Sequence, residues 1–269
     1  MTDAGAIADE VLKALASRDP VEPFTARVAS FDDRAAYAVT SELRRRRGGR
    51  GERPWGRKGA STTPNIWPEC GVYEPIWGDV YATTAHDVEP GARARISHLP
   101  QPRIEPEIVL GLDGDLYGDM SVEDVAGRIG WIAHGFEIVQ SIFPDWKCSV
   151  ADCVADGGLH GALFIGARKP LSAVERRTLP AILPKIGIEL FRDGRPIDTG
   201  IGSNVLDGPV QALKYLVDVL ARDPLNPSLR AGEFISTGTI TRAFPVGPGE
   251  RWSTRLTGFD LPGMDVELY

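Results

Sequence analysis

The stretch Gln101-Pro102-Arg103-Ile104-Glu105-Pro106-Glu107-Ile108-Val109-Leu110 sets charged residues two apart and then closes on an apolar run. In an extended chain side chains alternate faces, so Glu105 and Glu107 point the same way. Two like charges side by side repel, and a fold has little reason to pair them unless something positive lies between. A divalent cation is the economical candidate, and hard carboxylate oxygens suit Mg2+ or Mn2+. The competing reading is a solvated strand face with two surface acids.

A third acid stands in Gly135-Phe136-Glu137-Ile138-Val139-Gln140. Its apolar neighbours imply partial burial, and a buried carboxylate needs a partner. Glu105, Glu107 and Glu137 together would hold Mg2+ or Mn2+ while leaving positions open for water or substrate. The alternative for Glu137 is an ion pair with Lys147 or an arginine. Lys58, in Trp55-Gly56-Arg57-Lys58-Gly59-Ala60, is flanked by small residues. Its ammonium is placed either to hold a carboxylate or move a proton in a cleft, or simply at the surface.

Asp145-Trp146-Lys147, Asp152, Asp156 and Gly157-Gly158-Leu159-His160-Gly161 form a dense polar tract. It reads as a site wall, with Lys147, Asp156 and His160 toward substrate, or as a salt-bridged loop with a structural histidine. Thr237 and Thr239 flank Gly238 after an apolar run, an arrangement that binds carboxylates through hydroxyl and N–H groups or is a plain turn. GxSxG, Walker A and HExxH motifs are absent, which argues against serine hydrolase, P-loop and zincin chemistry.

The 269 residues allow one large domain or two smaller ones. A net charge of −7 gives no general basic field for nucleic acid. The run Arg44-Arg45-Arg46-Arg47, followed by Gly48 and Gly49, reads as a helix end entering a loop. Cys70, Cys148 and Cys153 are odd in number and lack a CxxC, which fits a reducing compartment. Neither a signal peptide at Met1–Gly5 nor an apolar run near the roughly 18 residues of a membrane span is present, so a cytoplasmic protein is expected.

Apolar spacing predicts amphipathic helices over residues 4–17 and from Asp32 through Leu43. Helices are also predicted over Val122–Ile132, capped by Ser121, and over Val210–Leu220. Residues 48–75, rich in Gly, Pro and Trp and including Trp67, read as an ordered loop or lid. Strands are predicted at Ile104–Leu110, Leu163–Gly166, Ile186–Phe191, Phe234–Ser236 and Trp252–Leu256, with a tight hairpin at Asp193-Gly194. The pattern is α+β: an N-terminal helical α/β region with the loop over residues 1–100, then a β-rich, metal-binding part over residues 101–269.

Taken together, these segments resemble the fumarylacetoacetate hydrolase superfamily, in its 2-keto-4-pentenoate hydratase and 4-oxalocrotonate decarboxylase branch. The matching pieces are Gly56-Arg57-Lys58, Ile66-Trp67-Pro68, Gly71-Val72-Tyr73-Glu74-Pro75-Ile76-Trp77-Gly78, Glu105-Pro106-Glu107, Phe136-Glu137-Ile138-Val139, Asp145-Trp146-Lys147, Asp152, Ala155-Asp156, Gly208-Pro209 and Thr237-Gly238-Thr239. The resemblance implies a mixed β-sandwich roll behind a small N-terminal α/β region. It implies Glu105, Glu107 and Glu137 as Mg2+ or Mn2+ ligands and Lys58 as the active-site lysine. It also implies a metal-dependent lyase acting on 2-hydroxy-dienoic or 2-oxo-enoic acids, as in aromatic meta-cleavage catabolism. The decarboxylase reaction, acylpyruvate C–C hydrolysis and a catalytically altered partner subunit are the alternatives. A homo-oligomer is expected, with a possible complex between related hydratase and decarboxylase chains. The chain departs from the family in Gly59-Ala60-Ser61-Thr62 after the lysine, and in Ala82, which stands where relatives carry a water-activating acid. Neither Asp79 nor Asp87 is an obvious replacement.

Overall fold

The computed structural model describes residues 3–60 and 75–269. Trp67, Cys70, Ser61-Thr62 and the matching segments at 66–68 and 71–74 lie outside the described residues.

Among the described residues, fourteen strands form two sheets. They are β1 Pro54–Ala60, β2 Ile76–Tyr81, β3 Ala85–Asp87, β4 Ala92–Ala94, β5 Arg103–Leu112, β6 Ile129–Val139 and β7 His160–Ile165. The second half comprises β8 Lys169–Pro170, β9 Gly187–Arg192, β10 Arg195–Ile201, β11 Phe234–Thr239, β12 Phe244–Pro245, β13 Arg251–Thr257 and β14 Asp265–Leu268. The larger sheet runs β2-β1-β11-β5-β6-β7-β3, with β12 and β8 at its margins, and the smaller runs β10-β9-β13-β14-β4. Strands from residues 1–100 and from 101–269 thus share both sheets.

The larger sheet closes on itself, and the chain dictates it. β2 and β3 lie at opposite ends of the path yet are joined by only residues 82–84. Seven flat strands would set their outer axes about 29 Å apart at about 4.8 Å per step. A three-residue link reaches only about 15 Å. Curling is the solution, and it divides the sheet into an inner and an outer face.

Register assigns the side chains. Gly56 and Lys58 of β1 pair with Phe234 and Ser236 of β11, while Glu105 of β5 lies opposite Glu137 of β6, itself opposite Leu163 of β7. These residues, with Glu107, face inward. Val80, Ala85, Val109, Ala133, Leu163, Ile165 and Phe234 form a buried apolar cluster at the floor of that interior. The outer face packs Ile104, Phe136 and Ile138 on Leu190, Trp252 and Val266 of the smaller sheet. Ile108, Leu110 and Ile132 pack with the helix Pro209–Ala221. The N-terminal helices Ala4–Ser17 and Asp33–Gly49 form a separate apolar cluster with the helix Val150–Ala155. The helices expected over residues 4–17, Asp32–Leu43 and Val210–Leu220, the five anticipated strands and the Asp193-Gly194 hairpin between β9 and β10 are present.

Two expectations are corrected. The tract 48–75 is not loop throughout, because Pro54–Ala60 is a strand between β2 and β11. Its Pro and Gly look like loop punctuation, but two neighbouring strands supply its backbone hydrogen bonds. The stretch Val122–Ile132 splits into a helix, Val122–Gly127, and the start of β6. The Ser121 capping box with Asp124 starts the helix. Gly127 and Gly130 weaken its continuation, and Ile129, Trp131 and Ile132 suit a strand.

Candidate metal centre and active site

Glu105, Glu107 and Glu137 each offer a carboxylate oxygen, and these atoms all lie within 4.8 Å of one another. Strand geometry builds the cluster: period two aligns Glu105 with Glu107, and antiparallel register brings Glu137 opposite Glu105. Glu107 and Glu137 are fully buried, while Glu105 is half-buried.

Each buried carboxylate has one oxygen held by the protein. Ser236 Oγ at 2.6 Å and the Gly238 N–H at 2.8 Å donate to Glu107 Oε2. A register shift between Ser236 and Thr239, with Gly238 at φ +110°, aims both donors at one atom, and that φ favours glycine. On Glu137, Oε1 lies 2.8 Å from His160 Nδ1. Of the other two oxygens, Glu107 Oε1 is buried with no hydrogen-bond partner, and the buried Glu137 Oε2 is met by the Lys58 ammonium. Three carboxylates converging in a buried site, one with an orphaned oxygen and one with an oxygen facing an ammonium, are what a hard divalent cation would satisfy, so the donor set fits Mg2+ or Mn2+.

Lys58 supplies the countercharge. Its Nζ is 3.1 Å from Glu137 Oε2 and donates to the Gly158 carbonyl, also at 3.1 Å. Burial alone would push this ammonium down, but Glu137, Glu105 and Glu107 hold it above the ordinary lysine value. Glu137 therefore pairs with Lys58 rather than with Lys147 or an arginine.

Gly78 makes the Gly158 contact possible. It pairs with Lys58 across β1 and β2, and a Cβ there would sit 1.9 Å from the Gly157 carbonyl oxygen. Gly78→Ala is expected to cost about 2–4 kcal/mol in urea denaturation through this overpacking. A loss below about 0.5 kcal/mol would show that the 157–158 segment yields freely.

The protonation of the cluster carries a second prediction. Burial raises both Glu105 and Glu107 to about 8, with Lys58 opposing and neighbouring carboxylates reinforcing the shift. Burial likewise raises Asp156 to about 8. These groups keep protons in the folded protein that the unfolded chain has lost, so the stability they carry is full below about 4.5 and disappears as pH rises through about 8. His134, pushed down to about 4 by burial, and His160 act in the opposite sense, but only below the ordinary histidine value of 6.5. The metal-free protein should therefore lose melting temperature between about pH 6.5 and 8, and Mg2+ should flatten the slope. A melting temperature that rises across this window without metal would contradict the assignment.

The other anticipated site residues are placed unevenly. Thr239 lies opposite Glu107 and donates to the Thr241 carbonyl, while Thr237 is buried and donates to the Ile108 carbonyl. Asp156 is buried, accepting from the Ile142 N–H at 3.3 Å and the Gln140 amide at 3.3 Å. Lys147 stands apart: its side chain is 82% exposed and pairs with Asp145 at 3.5 Å. It follows a tight turn of the chain at Pro144–Trp146, which leaves its ammonium to solvent.

Ala82 is exposed on the turn that closes the barrel. Asp79 is held between Arg44 (Nε to Oδ2 at 2.8 Å) and Arg57 at 3.0 Å, and Asp87 pairs with Arg168. Neither acid joins the cluster. Sequence reading missed Thr84, which contacts His160, and His134, whose Nδ1–H donates to the Glu107 carbonyl at 2.8 Å while Nε2 accepts from Thr254 of β13. The Gly-Gly before His160 is a signal of close backbone approach, but nothing local names its partner.

No family model matches the chain. Among curated proteins, it is 30% identical over 251 residues to a 2-hydroxyhexa-2,4-dienoate hydratase of Comamonas testosteroni, covering 91% of this chain and 90% of that protein. It is also 30% identical over 253 residues to a 2-keto-4-pentenoate hydratase of Paraburkholderia xenovorans LB400, covering 93% and 90%. Among solved structures, the 4-oxalocrotonate decarboxylase of Pseudomonas putida G7, complexed with magnesium and adipate, superposes with a TM-score of 0.90. The match has 26% identity and spans 100% of this chain and 99% of that one. With a barrel interior that gathers two glutamates from one strand and a third from its neighbour, and with relatives of this identity along nearly the whole length, the chain belongs to the fumarylacetoacetate hydrolase superfamily, in the branch of the 2-keto-4-pentenoate hydratases and 4-oxalocrotonate decarboxylases.

Proposed function

We propose that this protein is a divalent-metal-dependent lyase that hydrates 2-hydroxy-dienoic or 2-oxo-enoic acids. The observation that carries the reading is the convergence of Glu105, Glu107 and Glu137, with an orphaned oxygen on Glu107 and Lys58 paired to Glu137. The named activities of the hydratase relatives supply the substrate class.

In this reading the three glutamates hold Mg2+ or Mn2+, and Lys58 is the catalytic residue. The chemistry a bound cation supplies is polarisation of the C2 oxygen and stabilisation of the dienolate. The half-buried Glu105 marks the open side of the site, and the apolar cluster of Val80, Val109, Leu163 and Phe234 keeps water from the floor. Lys58, anchored on Gly158, holds a proton at Nζ and can deliver it to the conjugated chain. Thr239, opposite Glu107 in register, is the polar group we assign to the substrate carboxylate. Thr237 and Asp156 support the frame through their backbone bonds.

The test is to incubate Mg2+-loaded protein with 2-hydroxypenta-2,4-dienoate and follow the dienol absorbance. Loss of absorbance with uptake of water into the product supports the reading, and a flat trace across several chain lengths counts against it. Decarboxylation is the second reading, favoured by the close superposition on the decarboxylase. Release of CO2 from a 2-oxo-enedioic acid without dienol hydration would select it. We further infer a cytoplasmic homo-oligomer able to associate with a related hydratase or decarboxylase. Ile201, Tyr215 and Leu225 are exposed apolar side chains that a subunit contact would cover, and no described helix is long and apolar enough to cross a membrane. A monomeric sedimentation profile would refute the oligomer.

A further inference from the structure

We propose that His160 is a positioning residue for the cation site: it ties down one oxygen of Glu137 so that the other faces the ion. This rests on the reading of Glu137 as a metal ligand.

The imidazole is held at both nitrogens. Nδ1 is 2.8 Å from Glu137 Oε1 and Nε2 is 2.9 Å from Thr84 Oγ1. An ionised carboxylate only accepts, so the proton is assigned to Nδ1, and Nε2 at 2.9 Å then takes the Thr84 hydroxyl proton in competition with the Tyr81 carbonyl at 3.1 Å. Both side chains of the His160–Glu137 pair are nearly fully buried, at 3% and 0% exposure. Thr84 is itself fixed. Its Oγ1 accepts from the Tyr81 N–H at 3.2 Å and its carbonyl accepts from the Leu163 N–H at 2.8 Å. The turn that closes the barrel therefore reaches through His160 to Glu137.

Glu107 shows the same design by other means. Ser236 and Gly238 take its Oε2 and His160 takes Oε1 of Glu137, which leaves Glu107 Oε1 without a hydrogen-bond partner and Glu137 Oε2 facing the exchangeable Lys58 ammonium. A carboxylate already oriented has less freedom to lose when a cation binds. Outer-shell partners of this kind typically contribute 10–100-fold in metal affinity. A histidine that merely filled space would not need both ring nitrogens engaged in this order.

The test compares Mn2+ affinity by calorimetry in the wild type, His160→Asn and His160→Gln. Asparagine places its amide nitrogen near the position of Nδ1 and keeps the donor to Glu137. Glutamine reaches the position of Nε2 and loses that donor. The proposal expects His160→Gln to weaken Mn2+ binding by about 10–100-fold and His160→Asn by no more than about threefold. Equal effects of the two variants, or no effect of either, would overturn it. A readout independent of the variants is the histidine tautomer in 15N NMR of the wild type. An Nδ1–H signal is expected, and an Nε2–H tautomer would overturn the proposal even if both variants misfold. Failure of the underlying reading looks different: wild-type Mn2+ affinity would then be unchanged by Glu137→Gln.

Discussion

Glu107→Gln is expected to cut turnover about 1,000-fold or more and to remove tight Mg2+ binding, while the protein still folds. Glutamine keeps an oxygen that accepts from Ser236 and Gly238, the two donors now serving Oε2. What it removes is one negative charge from a three-carboxylate cluster. Lewis-acid stabilisation is worth several kcal/mol, and each 1.36 kcal/mol is about tenfold in rate. Stability should move the other way. Burial and Glu137 raise Glu107 to about 8, so at pH 8 and above the metal-free fold carries a charge it disfavours. The variant should therefore melt at the same temperature as wild type or higher without metal, and should lose the stabilisation that Mg2+ gives wild type. Thermal melts with and without Mg2+ check this. A variant that unfolds outright would instead make Glu107 a structural residue.

Lys58→Met separates catalysis from metal binding. Removing a positioned proton donor should lower kcat by about 100–10,000-fold. Metal affinity should tighten, by about tenfold or more, because an ammonium 3.1 Å from Glu137 Oε2 repels a dication and occupies the oxygen it would use. The two readouts are thus expected to move in opposite directions, which simple damage to the fold would not produce. Loss of both together would indicate that Lys58 holds the site's shape rather than moving a proton.

The parts of this site that are legible in sequence are those set by local periodicity. Glu105 and Glu107 declare a shared face because strand side chains repeat every two residues. Glu137 declares burial through Phe136, Ile138 and Val139. Its place opposite Glu105, however, comes from the β5–β6 register, which spans about thirty residues and is fixed by the barrel. Lys58 is legible as a candidate, but its strand is not. β1 forms because β2 and β11 flank it, and parallel pairing with β11 joins residues 56–58 to 234–236. The tie from Thr84 through His160 to Glu137 is equally non-local, since it exists only once the sheet has closed. Lys147 shows the reverse case. A lysine beside a tryptophan and acids reads as a site wall, yet the turn before it directs its ammonium to solvent.

The most direct test of the account is a crystal structure of the protein soaked with Mn2+ and oxalate, located by anomalous scattering. The account predicts one Mn2+ bound by oxygens of Glu105, Glu107 and Glu137 at about 2.0–2.2 Å, with oxalate chelating the remaining positions and Lys58 released from Glu137. An ion that binds elsewhere, or a cluster that keeps Lys58 on Glu137 with no ion at saturating Mn2+, would contradict it.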